Sequence, residues 1–332
     1  MSIGKPTKRA VALDLGGTRY RVAVSTLEGE LEWRVSRNTD AARGLEPVLD
    51  SLFASLEEAI AAAGGREAVS GLGIAAPGPV DPWNGVLYSP PNMPGWVNVP
   101  LKHLFEERFG IHSVAGNDAN LAAVGEHRFG AGRGLANVVY VTVSTGIGGG
   151  VISDNRLLVG SHGFAGEIGH MTVELHGDLC ACGNWGCLEA LASGTAIARH
   201  ARETVQSGAD TALRALAMEQ ITAKAVTDEA YRGDKVAQRL LKEAAEALGV
   251  GIVNLAHLFN PSRIILGGGV SINAGPIFWD TIQEVIEARM MRPALRDLEI
   301  VPAGLGDDAG LLGAAAAALD EAATDSSNQV LS

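Results

Sequence analysis

Two stretches of the chain decide its fold: residues 10–25 read AVALDLGGTRYRVAVS, and residues 138–152 read VVYVTVSTGIGGGVI. In each stretch, an apolar run leads into a glycine-rich turn, and a second β-rich run follows at once. This pattern is typical of a β-hairpin with a glycine tip. Because the unit occurs twice, about 130 residues apart, the sequence predicts a duplicated architecture with one glycine hairpin in each half.

Outside the hairpins, the apolar residues follow helical or strand spacing in turn. Leu45 to Ile60 keep a helical period and lead to a buried strand, Leu72 to Ala76, which together predict a parallel strand–helix–strand crossover. The helical period returns from Val236 to Leu255, and another buried strand, Ile264 to Leu266, follows it. A last apolar helix is predicted over Ala309 to Leu319. The fold class predicted from this order is α/β.

The composition is that of a globular chain with a large core. Hydrophobic residues make up 47% of the 332 residues and charged residues 19%, which excludes a disordered chain or a coiled coil and leaves room for about two domains. Acidic residues outnumber basic ones by 38 to 26, so no nucleic-acid partner is expected. The polar N-terminus predicts no signal peptide, and no stretch predicts a membrane span. We therefore expect a cytoplasmic protein without a membrane partner.

The glycine turns are candidate phosphate sites, because backbone N–H groups without a neighbouring Cβ can approach phosphate oxygens closely. Asp14 adds a carboxylate that could face a phosphate-bound Mg²⁺. A single such turn would more simply be an ordinary tight turn, but three of them favour a nucleotide. The Rossmann and P-loop patterns are absent from the sequence. The candidate residues are Gly16, Gly17 and Thr18 in the first turn, Thr145, Gly146 and Gly148 in the second, and Gly268 and Gly269 after the strand at 264–266.

All three cysteines fall within eight residues of one another, close to a histidine. His170, Cys180, Cys182 and Cys187 form a Cys₃His set suited to structural Zn²⁺. A disulfide framework is disfavoured by the odd count and the expected reducing compartment. The alternative is a group of buried or incidental cysteines. With four protein ligands the zinc would shape a loop, because no position is left for a reacting water molecule.

Several carboxylates lie where a ligand rich in hydroxyl groups could be bound. Asp118 and Asn117 follow a short β-like segment, at the kind of strand end where open α/β sheets bind ligands. An equally good interpretation makes one of them a helix N-cap. Glu167 and Glu189 flank the cysteine cluster in sequence, so a metal there would fix both of them. For either glutamate alone, a solvated surface position is the alternative.

Taken together, these motifs resemble the ROK family (repressors, open reading frames and kinases), above all its bacterial glucokinases. The matching segments cover residues ~10 to ~320 in the order typical of the family. The cysteine segment is the most specific of them. In chain order, the segments are Leu13–Thr18, Ala76–Asp81, Pro91–Trp96, Asn117–Asn120, Ser144–Gly150, Gly166–His170, Cys180–Glu189, Leu266–Gly269 and Asp307–Gly310.

The resemblance implies an actin-like, ribonuclease-H-like fold, with two α/β domains around a central cleft and a zinc knuckle. We expect residues 1–117 with 309–322 to form the N-terminal domain, and residues 118–308 to form the C-terminal domain with the zinc loop. Residues 323–332 are expected to be a disordered tail. A homodimer is also expected from the family.

The resemblance further implies roles for the candidate residues. Asp118 would be the general base, and ATP-Mg²⁺ would lie between the glycine hairpins, with Gly268 and Gly269 near the nucleoside. His170 would serve both the zinc and the substrate. Two positions depart from the family pattern: Ser144 stands where many members have glycine, and Arg19 where lysine is frequent, which leaves the role of Arg19 open. The residues implied around the sugar are Gly78, Asn92, Asn117, Asp118, Glu167, His170 and Glu189.

The activity implied is ATP-dependent phosphorylation of the 6-hydroxyl of glucose to glucose 6-phosphate. Kinases for N-acetylmannosamine and other hexoses or amino sugars share nearly all of these motifs and form the first alternative. A non-catalytic sugar-sensing regulator is a more distant one. The repressors of the family carry a DNA-binding region before the first phosphate motif, and here that motif begins near residue 10, so we do not expect a repressor.

Overall fold

The structure, a computed structural model, describes residues 8–295 and 297–329. Within these ranges, side chains are described except at 294, 295 and 323–329. The chain divides into two compact units. Unit 1 holds the described residues up to Gly134 together with 157–165 and those from Asp307 onward, and unit 2 holds 135–156 and 166–306.

The described residues contain thirteen strands and eleven α-helices, together with six short 3₁₀ helices. The strands are β1 (Arg9–Leu15), β2 (Arg19–Ser25), β3 (Leu31–Asn38), β4 (Val69–Ala76), β5 (Val80–Asp81), β6 (Val86–Leu87), β7 (Val99–Pro100), β8 (Ser113–Asn117), β9 (Val138–Val143), β10 (Ile147–Ser153), β11 (Arg156–Leu157), β12 (Arg263–Gly267) and β13 (Glu299–Pro302). The helices are α1 (Leu45–Ala62), α2 (Leu101–Phe109), α3 (Asp118–Arg128), α4 (Leu188–Ala192), α5 (Gly194–Gln206), α6 (Ala223–Tyr231), α7 (Lys235–Phe259), α8 (Gly269–Asn273), α9 (Gly275–Arg289), α10 (Arg292–Leu295) and α11 (Ala309–Gln329). Among these helices, none combines the length and the hydrophobicity that a bilayer crossing needs.

The main sheet of unit 1 is built on the first glycine hairpin. Its strand order is β3-β2-β1-β4-β8, with β1 antiparallel to β2 and parallel to β4, and β4 parallel to β8. The predicted hairpin is confirmed, because Leu15 pairs with Tyr20 across the turn. The predicted crossover is confirmed as well: α1 connects the first three strands to β4. A small sheet of β5, β6 and β7 completes the strands of this unit.

Helix α11 covers the central strand β4 at very short range. A Cβ at Gly73 would collide with the carbonyl oxygen of Ala314, and one at Gly71 would lie 2.9 Å from that of Ala318. Alanines of α11 and of the strands share one buried cluster with Leu121 of α3. The predicted helix from Ala309 is therefore confirmed, and small residues bring its backbone against the sheet.

Unit 2 repeats the sheet plan of unit 1. Its strand order is β11-β10-β9-β12-β13, in which β9 is antiparallel to β10 and parallel to β12, and β12 is parallel to β13. Hairpin β9–β10 thus corresponds to β1–β2, and β12 to β4. The predicted duplication of a glycine hairpin next to a parallel strand is confirmed. Buried residues of α7 and α9 pack with those of β9 and β12 in one core.

The two units do not end where the sequence suggests. The expected boundary after residue 117 falls just before α3, and α3 belongs to unit 1, which continues to Gly134. Helix α11 extends to Gln329, so its backbone is helical over most of the segment 323–332 for which disorder is expected. Residues 330–332 lie outside the described residues.

Candidate functional site

The first glycine turn is fixed by hydrogen bonds from its own hairpin and from β3's end. The amide of Gly16 donates to the carbonyl of Arg19 at 3.0 Å. The hydroxyl of Thr39 donates to the carbonyl of Gly16 at 2.6 Å, and the backbone amide of Thr39 donates to the carbonyl of Thr18 at 2.9 Å. These contacts hold the backbone of the turn in one shape without using any side chain of Gly16, Gly17 or Thr18.

Asp14, the carboxylate at the end of β1, forms an ion pair with Arg21 of β2. The Arg21 Nε donates to Asp14 Oδ2 at 3.0 Å, and its Nη2 makes a second, shorter bond to the same oxygen. Arg21 Nη1 also lies 3.8 Å from Asp308 Oδ1. The expected Mg²⁺ role of Asp14 therefore concerns a carboxylate whose charge is already partly offset by a guanidinium.

Within unit 1, two asparagines that are expected to contact the sugar lie beside glycines that are also expected in the binding site. A Cβ at Gly17 would lie 2.8 Å from the Cβ and the carbonyl oxygen of Asn92, and one at Gly78 would lie 3.0 Å from Asn117 Nδ2. Asn92 thus lies against the first glycine turn, and Gly78 leaves space for the Asn117 amide. Glycine at positions 17 and 78 is therefore explained by the packing of these two asparagines, in addition to any contact with a ligand.

Asn117 is the N-cap of α3. Its Oδ1 accepts hydrogen bonds from the amides of Ala119 at 3.0 Å and Asn120 at 3.1 Å. Asp118 is the first residue of the helix and is exposed, and its Oδ1 accepts from the amide of Ala119 at 2.7 Å. Of the two residues considered for the cap, Asn117 takes that role, and the Asp118 carboxylate stays at the surface of unit 1.

The second glycine turn, Ser144 to Gly146, is docked on the N-terminus of α5. The amides of Gly194 and Thr195 donate to the carbonyls of Ser144 at 2.8 Å and Thr145 at 3.2 Å. The Thr195 hydroxyl also donates to the Thr145 carbonyl at 2.8 Å. Gly148 follows in β10, paired with Thr142. The side chains of Ser144 and Thr145 are left exposed.

A cavity of about 670 Å³ opens beside this turn. It brings together the second and third glycine motifs, because Thr145 and Gly269 both line it. Gly268 does not line it: with φ of +87° it has a backbone conformation that favours glycine, and a Cβ there would collide with the backbone of Val143. The lining residues that sequence reasoning missed include Thr195, Arg202, Thr222, Lys224, Asp228 and Asn273. They come from helices and a helix cap, where no motif marks them.

The predicted metal cluster is assembled in unit 2. The candidate ligand atoms of His170, Cys180, Cys182 and Cys187 all lie within 4.8 Å of one another. The Sγ atoms of Cys182 and Cys187 are 3.7 Å apart, as are Cys180 Sγ and His170 Nδ1. Tetrahedral zinc with Zn–S bonds of ~2.3 Å requires sulfur pairs ~3.8 Å apart. The donor set and its spacing therefore fit Zn²⁺.

The thiols of this cluster have unequal pKa values. Burial raises the pKa of Cys187 to about 12 and also raises the pKa of Cys180. The backbone amide of Asn184 lowers the pKa of Cys182. Without a cation the two buried thiols are protonated at neutral pH, so metal binding must release protons.

Both glutamates that flank the cluster in sequence lie near it in space. Glu167 Oε2 is 4.0 Å from His170 Nε2, on the ring nitrogen that does not face Cys180. Glu189 Oε1 is 3.9 Å from Cys180 Sγ, and its Oε2 accepts a hydrogen bond from the amide of Ile147 at 2.9 Å. Unit 2 thus holds the second glycine turn, the cavity beside that turn, the metal cluster and these two carboxylates.

The sequence matches the ROK family over residues 10–321. A glucokinase of Thermotoga maritima is 38% identical over 93% of this chain and 97% of its own length. An N-acetylmannosamine kinase of Escherichia coli O9:H4 is 33% identical over 94% of this chain and 98% of its own length. A crystal structure of a ROK family glucokinase from Streptomyces griseus in complex with glucose and AMPPNP is 36% identical, covers 94% of this chain and 99% of its own, and superposes with a TM-score of 0.78.

These similarities extend over nearly the whole chain, and the duplicated sheets agree with them. The mixed α/β fold is that of the ROK kinases, which is an actin-like ATPase fold. The expected fold class is therefore confirmed. Together with the matched segment of residues 10–321, this shows that the chain belongs to the ROK family.

Proposed function

We propose that the protein is a sugar kinase that transfers the γ-phosphoryl group of ATP to the 6-hydroxyl of glucose, giving glucose 6-phosphate and ADP. The observation that carries the proposal is the cavity beside the Ser144–Gly146 turn, because the exposed residues Ser144 and Thr145 of this glycine turn line it and could meet phosphates, with room beyond for a nucleoside. The similarity to glucokinases, one of them solved with glucose and AMPPNP, supports the choice of sugar and donor.

Asp118 is the proposed general base. Its exposed carboxylate accepts the proton of the 6-hydroxyl while that oxygen bonds to the γ-phosphorus and the bond to the ADP oxygen breaks. The hydrogen bond from the Ala119 amide orients this carboxylate, and Asn117, fixed as the helix cap through its Oδ1, presents its Nδ2 as a donor. Only a modest base is needed, because most of the rate comes from in-line positioning.

The remaining proposed sugar residues supply acceptors and donors for hydroxyl groups. Asn92 and Gly78 belong to unit 1, and Glu167, His170 and Glu189 belong to unit 2. Carboxylates accept hydrogen bonds from hydroxyl groups, and His170 has its Nε2 on the side away from Cys180. Zn²⁺ on the four cluster ligands would hold this histidine and both glutamates in place, which is a structural role.

The phosphates are assigned to the two glycine turns. Gly17 and Thr18 in unit 1, and Thr145, Gly146 and Gly148 in unit 2, would donate backbone or hydroxyl hydrogens to them. The amide of Gly16 donates to the carbonyl of Arg19, so Gly16 would contribute the shape of the first turn. Mg²⁺ bound to ATP would neutralise charge on the phosphates. Asp14 is the carboxylate proposed to face that ion, and Arg21 holds it at the end of β1.

The sugar is the open part of this proposal, because N-acetylmannosamine kinases are also among the relatives. An acetamido group is accommodated or refused by pocket shape, and the discrimination is a difference in transition-state binding. We give glucose preference because a glucokinase is more similar to the chain, at 38% against 33% identity.

A coupled ADP-release assay with ATP-Mg²⁺ and a panel of sugars tests the proposal. The panel is glucose, mannose, fructose, N-acetylmannosamine and N-acetylglucosamine. We expect kcat/KM for glucose to exceed the others at least tenfold, which is ~1.4 kcal/mol of discrimination. A preference for an amino sugar would keep the kinase and replace the substrate. Sugar binding without turnover of any sugar would contradict the kinase proposal and favour a sensor.

A further inference from the structure

One carboxylate spans the distance between the second glycine turn and the metal cluster. Glu189 Oε2 accepts a hydrogen bond from the amide of Ile147, the residue that directly follows the turn. Its other oxygen, Oε1, lies 3.9 Å from Cys180 Sγ. Glu189 is half-buried in α4, immediately after Cys187 and Leu188. Because α4 begins directly after Cys187, a shift of the cysteine segment would move this carboxylate and, through it, the Ile147 amide.

Close backbone packing connects the same two features. A Cβ at Gly146 would collide with Glu189 Oε2, and a Cβ at Gly169, next to His170, would collide with the carbonyl oxygen of Ile147. At Gly149 in β10, a Cβ would meet the side chain of Ile168. The glycine at 146 is therefore needed for Glu189 as well as for a phosphate, and the backbone at Gly169, beside the metal ligand His170, packs directly against the hairpin.

We propose that Glu189 is a positioning residue that couples the metal cluster to the second glycine turn, so that Zn²⁺ affinity and nucleotide affinity depend on each other. A metal on Cys180 and Cys187 fixes both ends of the segment from which α4 starts, and with it the carboxylate that holds the Ile147 amide. Loss of the metal releases that carboxylate, and the turn loses a contact that sets its shape. This inference rests on the proposed function only in taking a nucleoside triphosphate as the ligand of the turn.

The coupling is measured without any sugar, so that the proposed sugar contacts of Glu189 do not enter. Titration calorimetry gives the Kd of AMPPNP-Mg²⁺ for the zinc-loaded full chain and for the chelator-treated chain. Competition with a chromogenic chelator gives the Zn²⁺ affinity with and without AMPPNP. We expect zinc removal to weaken nucleotide binding at least about fivefold, and AMPPNP to raise Zn²⁺ affinity by the same factor, because binding linkage is reciprocal.

Three variants locate the coupling. Glu189→Ala should reduce the linkage factor to near one, whereas Glu189→Gln, which keeps a hydrogen-bond acceptor, should retain part of it. Glu174→Ala, in an exposed glutamate of the same loop, is the matched control and should leave both affinities within about twofold. Circular dichroism and zinc content check that each variant is folded and loaded. A linkage factor that Glu189→Ala leaves unchanged would overturn the role of Glu189.

A double-mutant cycle tests the contact itself. Gly146→Ala should weaken AMPPNP binding, and the loss should be smaller in the Glu189→Ala background, where the carboxylate is no longer in the way. Equal losses in both backgrounds would overturn the inference, as would a nucleotide affinity that does not change when zinc is removed. If the zinc-loaded wild-type chain fails to bind AMPPNP, the proposed function itself is wrong.

Discussion

At the scale of single residues, Asp118 carries the proposed chemistry. Asp118→Asn should lower kcat by ~10²–10⁴-fold, the range for loss of a general base, because the amide cannot accept the hydroxyl proton. Glucose affinity should change little, since the amide oxygen still fits the N-terminus of α3. Rate measurements in the coupled assay and glucose titration by calorimetry give the two quantities.

The matched control is Asp50→Asn, a change to an exposed carboxylate of α1, for which we expect wild-type kinetics. Near-normal turnover of Asp118→Asn would remove Asp118 from the role of base. If glucose binding were lost in parallel, the role of Asp118 would be to bind the sugar. Asp50→Asn is a matched control because both substitutions turn one exposed carboxylate into an amide.

The cysteine cluster predicts a pH-dependent metal affinity. Burial raises the pKa of Cys187 to about 12 and that of Cys180 above its usual range, so both thiols are protonated in the metal-free protein at neutral pH. Zinc must displace these protons, and its affinity therefore falls as pH falls. Between pH 8 and pH 6 we expect a roughly tenfold loss per pH unit for each proton released.

Chelator competition across this pH range measures the slope, and Cys187→Ser serves as the variant that weakens the site. A Zn²⁺ affinity independent of pH would contradict thiolate ligation. A slope that survives unchanged in Cys187→Ser would show that this thiol is not a ligand.

Sequence patterns predicted the cluster and missed the cavity, for a physical reason. The four metal candidates lie within 18 residues, so their spacing is visible in the chain. Thr195, Arg202 and Lys224 line the same cavity as Thr145 because helices α5 and α6 carry them there. The hydrogen bond from Ile147 to Glu189 joins residues 42 positions apart. No local pattern encodes contacts of this kind.

At the scale of elements, the packing of α11 against α3 depends on glycine. A Cβ at Gly313 would collide with the carbonyl oxygen of Leu121, and one at Gly125 would lie 2.5 Å from that of Ala309. Gly313→Ala should therefore lower the free energy of unfolding by ~1–3 kcal/mol, even though alanine is the better helix former by ~1 kcal/mol. Urea titration followed by circular dichroism measures the change.

Gly310→Ala is the control within the same helix. A Cβ there would meet Asp14 atoms at 3.5 Å or more, an ordinary contact, so propensity alone should decide and stability should stay equal or rise. If Gly313→Ala were as stable as Gly310→Ala, the close approach of α3 and α11 would not hold.

The hairpins and α11 were predictable because each is a local pattern of apolar residues and glycines. The elements that pack against them were harder to predict. The sequence places Gly73 in a buried strand and says nothing more about it. In the structure, the missing side chain of Gly73 lets the backbone of α11 pack against the strand, about 240 residues later in the chain. The same long-range packing explains why unit 1 includes α3, which the boundary expected after residue 117 would have assigned to the second domain.

At the scale of the whole molecule, the chain has separate hydrophobic cores in its two units. The core of unit 2 gathers residues of β9, α7 and α9, and those of unit 1 gather residues of β1, β4 and α11. The duplication itself was predictable from the repeated glycine hairpin. Because the metal cluster belongs to unit 2 alone, removing the metal should affect the two units unequally.

Hydrogen exchange followed by mass spectrometry tests this prediction on the full chain. After zinc is removed, amides at 168–192 should exchange faster, because the buried thiols and His170 lose their common ligand. Amides of β1 and β4 should keep their protection, since neither strand shares a core cluster with the cysteines. The zinc-loaded chain treated with the same buffer is the control. Equal deprotection of β1 and β4 would show instead that the metal stabilises the molecule as a single cooperative unit.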